Sequence, residues 1–228
     1  MTGAAWALLG GAGAFALGDW LAVARGSKGL EYVCKPAAIA ALIGVALALT
    51  PVHADRRACF VAALALSLVG DVFLMLRIGE RDSERSERRR EQPRRDLFVA
   101  GLSAFLLAHV AYVVGLRLHG GSWAALALAA VVAAWAAAAV GRPVVGAVRR
   151  LHPELTLPVT AYMVVISAMV ASALATGLIL AAAGAVLFEL SDSLIAWNRF
   201  VRPVRWAPLA IIVTYHLGQA GLVLSLAR

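Results

Sequence analysis

Charged residues are scarce in this sequence. Asp, Glu, Lys and Arg make up 15% of its 228 residues, whereas hydrophobic residues make up 62% and the mean hydropathy is +0.83. A soluble domain normally carries about 25% charged residues. The deficit excludes a soluble globular core and indicates an integral membrane protein with no separate soluble domain.

Cysteine and lysine are also scarce. Cys34 and Cys59 are the two cysteines, and we expect them near opposite membrane faces, where they cannot form a disulfide. Only 2 of the 21 basic residues are lysines. One of them, Lys35, lies inside a hydrophobic stretch, which singles it out as a candidate functional residue.

Three familiar signatures of hydrolases and metal sites are missing. The sequence contains no Gly-x-Ser-x-Gly motif, no His-x-x-x-His and no Cys-x-x-Cys. The first absence argues against a serine lipase, and the other two argue against a dedicated metal site. We therefore predict no metal and no cofactor. A mixed oxygen–nitrogen site built from Asp71, His109, Asp192 and His216 remains the alternative.

Hydrophobic stretches long enough to cross a membrane fill most of the chain. A span needs about 20 apolar residues, and about eight such stretches follow one another, at residues 4–23, 34–50, 58–76, 97–116, 123–140, 156–175, 177–197 and 207–226. This pattern predicts an all-α integral membrane protein, in which residues 1–228 form a single bundle of about eight transmembrane helices. No basic residue precedes the first stretch and Asp19 interrupts its end, so we expect a retained helix.

The arginines predict how the bundle is oriented. Residues 77–96 form a charged loop with eight arginines and six acidic residues, and the other connections after odd-numbered spans are also basic. The positive-inside rule places these connections in the cytoplasm and both termini on the extracytoplasmic side of the cell membrane. The net charge of +8 is thereby explained by topology and by attraction to anionic membrane lipids, and we predict no nucleic-acid partner.

Polar residues inside the spans mark the candidate site. An ionised carboxylate in a hydrophobic span costs about 2.5–3.5 kcal/mol on insertion scales and is a functional hypothesis by default. Under the predicted orientation, most of these side chains share the cytoplasmic half of the membrane. We therefore expect one cavity open to the cytoplasmic leaflet, lined by Asp19, Lys35, Asp71, His109, Tyr162, Asp192 and Tyr215. The competing interpretation is that these side chains only form hydrogen bonds between packed helices and carry out no chemistry.

Five motifs resemble those of the YhhN family of membrane proteins, whose characterised animal members are lysoplasmalogenases. They are Cys34-Lys35-Pro36, Val69-Gly70-Asp71, Phe105…His109…Tyr112, Gly184-Ala185…Phe188…Ser191-Asp192 and Tyr215…Gln219. The resemblance covers most of the chain, except for residues 77–96, and His216 is not a position of the family pattern. It implies hydrolysis of the vinyl ether bond of a lysoplasmalogen, or of a related lysophospholipid or ether lipid. The products are a fatty aldehyde and glycerophosphoethanolamine or glycerophosphocholine.

The residues suit that chemistry. Cleavage of a vinyl ether begins with protonation of its outer alkene carbon, and the resulting oxocarbenium ion is then attacked by water. Two carboxylates in a low-dielectric pocket supply an acid and a negative group, as in glycosidases. We assign these roles to Asp71 and Asp192, in either order, with Glu189 and Asp19 in reserve.

Supporting roles go to polar residues on the other spans. Lys35 holds the lipid phosphate or balances an aspartate, and His109 with Tyr112 positions water or an aspartate. The remaining supporting or substrate-binding candidates are Tyr162, Tyr215 and Gln219. Two other functions stay open, a small proton-coupled transporter and a non-catalytic lipid-binding membrane protein.

Overall fold

Long helices build the whole described part of the chain. The computed structural model describes residues 2–79, 87–119 and 122–227. Its eight long helices are α1 (Gly3–Arg25), α2 (Lys28–Ala48), α3 (Ala54–Gly79), α4 (Glu87–Leu118), α5 (Trp123–Leu151), α6 (Thr156–Ala175), α7 (Ile179–Ala196) and α8 (Ala207–Leu224). A short 3₁₀ turn, Pro153–Leu155, precedes α6, and a π-helical turn, Trp197–Val201, continues α7. The predicted all-α membrane architecture is confirmed.

Seven of these helices are long and apolar enough to cross a membrane without a break. The predicted fifth span is the exception, because α5 continues to Leu151 and bends by 44° between Trp135 and Ala137. The described part of the chain therefore has seven candidate spans, or eight when the bent α5 is counted as one. The side of the membrane on which the termini lie stays a prediction.

The predicted loop at residues 77–96 is shorter in the structure. Helix α3 runs on to Gly79 and α4 already begins at Glu87, so both helices extend beyond their apolar parts. In α4 the added residues 87–96 are rich in arginine and glutamate, which are good helix formers. Residues 80–86 of the predicted loop lie outside the described residues.

Consecutive helices pack as pairs, α1 with α2, α3 with α4, α5 with α6 and α7 with α8. Short connections favour this arrangement, because neighbours in sequence then become antiparallel neighbours in space. The pairs are joined by contacts of α4 with α6, α2 with α3 and α8 with both α1 and α2. This places α2, α3, α4, α6, α7 and α8 around the central polar residues.

In two of these pairs, glycines allow the two helices to approach each other very closely. A Cβ added to Gly184 on α7 would lie 2.6 Å from the backbone nitrogen of Leu222 on α8, and one on Gly218 would lie 2.9 Å from the carbonyl oxygen of Gly184. On α3, a Cβ on Gly70 would lie 2.6 Å from the ring of Phe105. Small residues are the usual means of close helix contact in membranes. Here they draw α7 onto α8, and α3 onto α4.

An apolar cluster closes the bundle at the end where α3, α5 and α7 finish and α4 and α6 start. We call it the end cluster, and its buried members are Phe98, Val144, Ala147, Val148, Leu155, Val159 and Phe200. Phe98 and Phe200 meet edge to face with ring centroids 6.3 Å apart. The cluster ties the last turn after α7 to the starts of α4 and α6, and so determines where the side chains at this end of α7 lie.

Replacing Gly184 by alanine is expected to destabilise the bundle. The new methyl group meets backbone atoms of α8, which cannot rotate away, and such overpacking costs about 1–3 kcal/mol. We expect a thermal unfolding midpoint several degrees lower than that of the wild-type protein, measured in detergent by tryptophan fluorescence. Gly13→Ala is the matched control, since a Cβ at Gly13 meets nothing within 4 Å. A Gly184→Ala midpoint equal to that of this control would contradict the close α7–α8 contact.

Candidate active site

A cavity of about 280 Å³ lies within the bundle. Every long helix except α1 contributes to its wall. Most of the lining is apolar, and the polar lining residues are Lys35, Asp71, Tyr162, Ser167, Glu189, Ser191, Asp192, Ser193, Arg199 and Tyr215. Two aspartates from different helices therefore face one small, largely apolar space.

Asp71, near the middle of α3, is held by two donors. Lys35 on α2 donates to its Oδ1 over 2.8 Å, and the hydroxyl of Tyr215 on α8 donates to its Oδ2 over 2.7 Å. The carboxylate is 1% exposed, and the Lys35 ammonium also lies 5.5 Å from the centre of the Tyr215 ring. A buried carboxylate needs such partners, because an unpaired charge in a low-dielectric interior is very costly. The arrangement favours an ionised Asp71.

Asp192, on α7, has a different environment. The hydroxyl of Tyr162 on α6 donates to its Oδ2, and Nε2 of His109 on α4 lies 3.8 Å from the same oxygen. The Nδ1 of His109 lies 2.6 Å from the carbonyl oxygen of Phe105, which only accepts, so Nδ1 carries the proton. A neutral His109 then presents an unprotonated Nε2 toward Asp192. Unlike Asp71, this carboxyl is surrounded by a phenol and an imidazole.

Two further charged groups line the cavity. Glu189, one turn before Asp192, accepts a hydrogen bond of 3.0 Å from the hydroxyl of Ser167 on α6. Arg199, in the π-helical turn, lies at the end-cluster side, where its guanidinium carbon is 3.7 Å from the centre of the Phe98 ring. The cavity thus has carboxylates along α7 and a cation at its end.

Aromatic rings pack against the side chains that contact the two aspartates. The ring of Phe188 contacts those of His109 and Tyr215 edge to face, with centroids 4.7 Å and 5.3 Å away. The hydroxyl of Tyr112 donates to Oε1 of Gln219 over 2.6 Å. Tyr112 and Gln219, two predicted supporting residues, are fully buried and do not line the cavity.

Two residues predicted to line the cavity lie outside it. His109 is fully buried and does not line the cavity, although its Nε2 lies 3.8 Å from Oδ2 of Asp192. Asp19 is on α1, the long helix that contributes nothing to the cavity, and its Oδ2 lies 4.0 Å from Nε2 of His216. The sequence predicts how deep Asp19 lies in the membrane, but depth alone does not determine which side chains it meets. The predicted single cavity therefore holds Lys35, Asp71, Tyr162, Asp192 and Tyr215, without Asp19 and His109.

His216 belongs to a second polar group with Asp19. Its Nδ1 accepts a hydrogen bond of 3.1 Å from the indole nitrogen of Trp20, so its Nε2 carries the proton and faces Asp19. The alternative metal site of Asp71, His109, Asp192 and His216 is thereby divided between two places, with His216 beside Asp19 and His109 beside Asp192.

Potential metal ligands do come together elsewhere in the described part of the chain. Ligand atoms of His53, Asp55 and His119 lie within 4.8 Å of one another, at the opposite end of α3 from Leu76. The rings of His53 and His119 are stacked, with an interplanar angle of 8° and centroids 3.7 Å apart. Imidazole ligates through a lone pair in the ring plane, so stacked rings cannot both point at one ion. His119 instead pairs with Asp55 over 2.7 Å.

Some cavity residues were not predicted from the sequence. Arg199 belongs to the basic connection after the seventh predicted span, which served only to predict the orientation, although its position seven residues after Asp192 indicates the same helix face. Ser167 gave no sequence signal. Ala137 and Val140 line the cavity from α5, a span without ionisable groups whose role in the site only the packing reveals.

Comparison with known proteins agrees with the resemblance in the sequence. The chain is 35% identical over 131 residues to lysoplasmalogenase TMEM86B of Homo sapiens, a match covering 58% of this chain and 54% of that protein. It is 35% identical over 168 residues to the lysoplasmalogenase of Mycobacterium bovis, covering 72% of this chain and 58% of that protein. The chain thus spans little more than half the length of these curated relatives. No solved structure gives a significant match.

The family assignment rests on a longer match than either relative provides. The model of the YhhN family matches residues 30–226, which include all the motifs that carried the resemblance. That range also contains both cavity aspartates and the groups that bind them. The chain belongs to the YhhN family.

Proposed function

We propose that this protein hydrolyses the vinyl ether bond of lysoplasmalogens or closely related single-chain ether lipids within the membrane. The products are a fatty aldehyde and a glycerophospho-alcohol. One observation carries the proposal: Asp71 and Asp192 line the same largely apolar cavity in different electrostatic environments. Relatives named lysoplasmalogenase support the substrate class.

The two environments suggest how the roles divide. An acid must hold a proton near neutral pH, and burial without a cationic partner favours the protonated form of a carboxyl group. Asp192, which faces Tyr162 and a neutral His109, is therefore the proton donor in our proposal. Asp71 remains ionised beside Lys35 and serves as the negative group and base.

Every proton is accounted for in this scheme. Asp192 donates its proton to the outer alkene carbon, and the carboxylate of Asp71 stabilises the oxocarbenium ion that results. Water adds to the cation while Asp71 takes up its proton, which gives a hemiacetal. As the hemiacetal collapses, Asp71 returns that proton to the departing glycerol oxygen and Asp192 removes the hydroxyl proton. Aldehyde and alcohol leave, and both carboxyl groups regain their starting states.

The wall of the cavity suits a reactive cation. Its lining is mostly apolar and includes the aromatic rings of Phe105 and Tyr215, which meet edge to face. An apolar wall excludes bulk water and strengthens the electrostatic interactions inside. Under the predicted orientation, the cavity receives its substrate from the cytoplasmic leaflet.

A proton-coupled transporter or a non-catalytic lipid-binding protein would also place polar groups in a membrane cavity. Purified protein in detergent, incubated with a lysoplasmalogen and assayed for aldehyde, separates these functions from hydrolysis. Time-dependent aldehyde release proportional to enzyme concentration is the expected result. Its absence in folded, monodisperse protein would reject the proposed reaction.

Replacing Asp192 or Asp71 by asparagine is expected to reduce turnover by about 10²–10⁴-fold, since asparagine can neither donate the proton nor carry the charge. Aldehyde release per folded enzyme molecule is the measurement. Glu189→Gln is the matched control, because Glu189 lines the same cavity but bonds to Ser167. It should keep more than about a tenth of wild-type turnover. An Asp→Asn variant that does the same is not the acid or base assigned here.

The Asp71 variant needs a second control, because it leaves Lys35 buried without its ion-pair partner. Breaking such a pair costs about 3–5 kcal/mol of stability. The double variant Lys35→Met/Asp71→Asn removes both charges and should recover thermal stability without recovering activity. Recovery of activity in the double variant would show that the loss in Asp71→Asn came from instability alone.

Single-chain lipids are expected to be the preferred substrates. A cavity of about 280 Å³ inside a small bundle has room for one hydrocarbon chain near the aspartates. Initial rates with a lysoplasmalogen should exceed those with the corresponding two-chain plasmalogen by at least about tenfold at equal concentration in mixed micelles. Equal rates for the two lipids would contradict this prediction.

A further inference from the structure

We propose that Arg199 binds the phosphate of the lipid head group and thereby positions the vinyl ether bond between the two aspartates. This inference rests on the proposed function and assigns a binding role to a residue that the reaction scheme does not use. Arg199 lines the same cavity as Asp71 and Asp192. It lies in the π-helical turn that directly follows α7, and such turns occur frequently at functional sites.

The spacing along α7 matches a glycerophospholipid. Arg199 follows Asp192 by seven residues, which is about two helical turns, or roughly 10 Å along the helix axis. Both side chains line the cavity, so a ligand bound there can contact the guanidinium and the Asp192 carboxyl group together. In a lysophospholipid, the three glycerol carbons separate the ether oxygen from the phosphate ester. An anchor at Arg199 therefore leaves the ether oxygen on the side of the carboxylates.

The aromatic neighbours of Arg199 hold its side chain in place. Its guanidinium carbon lies 3.7 Å from the centre of the Phe98 ring and 5.2 Å from that of Phe200, both members of the end cluster. Stacking fixes the plane of the guanidinium, while its N–H donors point out from the edge. Five donors in a planar fork suit bidentate phosphate binding and can serve more than one partner at once.

Lys35 is less suited to this role, although the sequence suggested it. Its ammonium is 2.8 Å from Asp71 and neutralises that carboxylate. A phosphate placed against Lys35 would be repelled by Asp71 and would occupy the position where the vinyl ether must react. The structure therefore separates the two cations by function: Lys35 balances Asp71, and Arg199 recognises the head group.

The test compares two substrates in the same variant. Arg199→Gln should raise KM for a lysoplasmalogen about tenfold or more, with kcat changed less than about threefold, because a charge-assisted contact is lost in binding. For an alkenylglycerol, which has the same vinyl ether but no phosphate, KM should stay within about twofold. Arg199→Lys, which keeps the charge but loses the fork, should give an intermediate KM. Equal increases in KM for both substrates, or no increase for either, would overturn the assignment.

Arg202→Gln is the matched control. Arg202 is exposed, three residues further along the chain, and does not line the cavity. The two variants remove the same charge from the same end of the bundle, so a general attraction to anionic lipid changes equally in both. An increase in KM with Arg202→Gln as large as with Arg199→Gln would show that general attraction to anionic lipid, and no specific site at Arg199, causes the effect.

Direct binding makes this inference testable even if the proposed reaction is wrong. A lysophosphatidylethanolamine with an ester-linked chain and its phosphate-free monoacylglycerol are titrated into the protein, with tryptophan fluorescence as the readout. The phospholipid should bind wild-type protein about tenfold more tightly than Arg199→Gln, and the monoacylglycerol should bind both equally. Glycerophosphoethanolamine should displace the phospholipid, whereas competition by inorganic phosphate alone at the same concentration would indicate a free-phosphate site and reject the head-group assignment.

Discussion

The buried ion pair between Lys35 and Asp71 is the interaction on which the centre of this structure depends. Neither charge is stable alone in the hydrocarbon interior, so α2 and α3 must place them within hydrogen-bonding distance. The Tyr215 hydroxyl supplies the second donor to Asp71 and thereby brings in α8. Three helices are thus held in register by one carboxylate.

The second aspartate is positioned by backbone packing. Gly184, Gly218 and Gly221 let α7 and α8 approach closely, and Asp192 lies two turns along α7 from Gly184. This contact places Asp192 in the lining of the same cavity as Asp71. The polar contacts of Asp192, however, come from α4 and α6. The two carboxyl groups consequently share a space and differ in their partners, which is the condition for one to act as acid and the other as base.

The end cluster links the cavity to the basic end of α7. Phe98 and Phe200 pack together and hold the guanidinium of Arg199 toward the cavity. A conventional surface arginine contributes little to a specific site, because its side chain is mobile and screened by water. The stack on Phe98 removes that freedom and fixes the plane of the Arg199 guanidinium beside the cavity.

Much of this arrangement follows from the sequence itself. The hydrophobic stretches determined the helical membrane class. The in-span positions of Lys35, Asp71, Tyr162, Asp192 and Tyr215 were sufficient to predict that these residues share one cavity, because polar groups in hydrocarbon must find one another. Tertiary structure alone decided the rest. Asp19 has the predicted depth but lies on α1, which does not line the cavity, and its carboxyl group is beside His216, whereas Arg199, Ala137 and Val140 do line the cavity. Hydropathy reports how deep a residue lies, but the rotation of each helix about its axis is set by side-chain packing against its neighbours, and no single stretch of sequence contains that information.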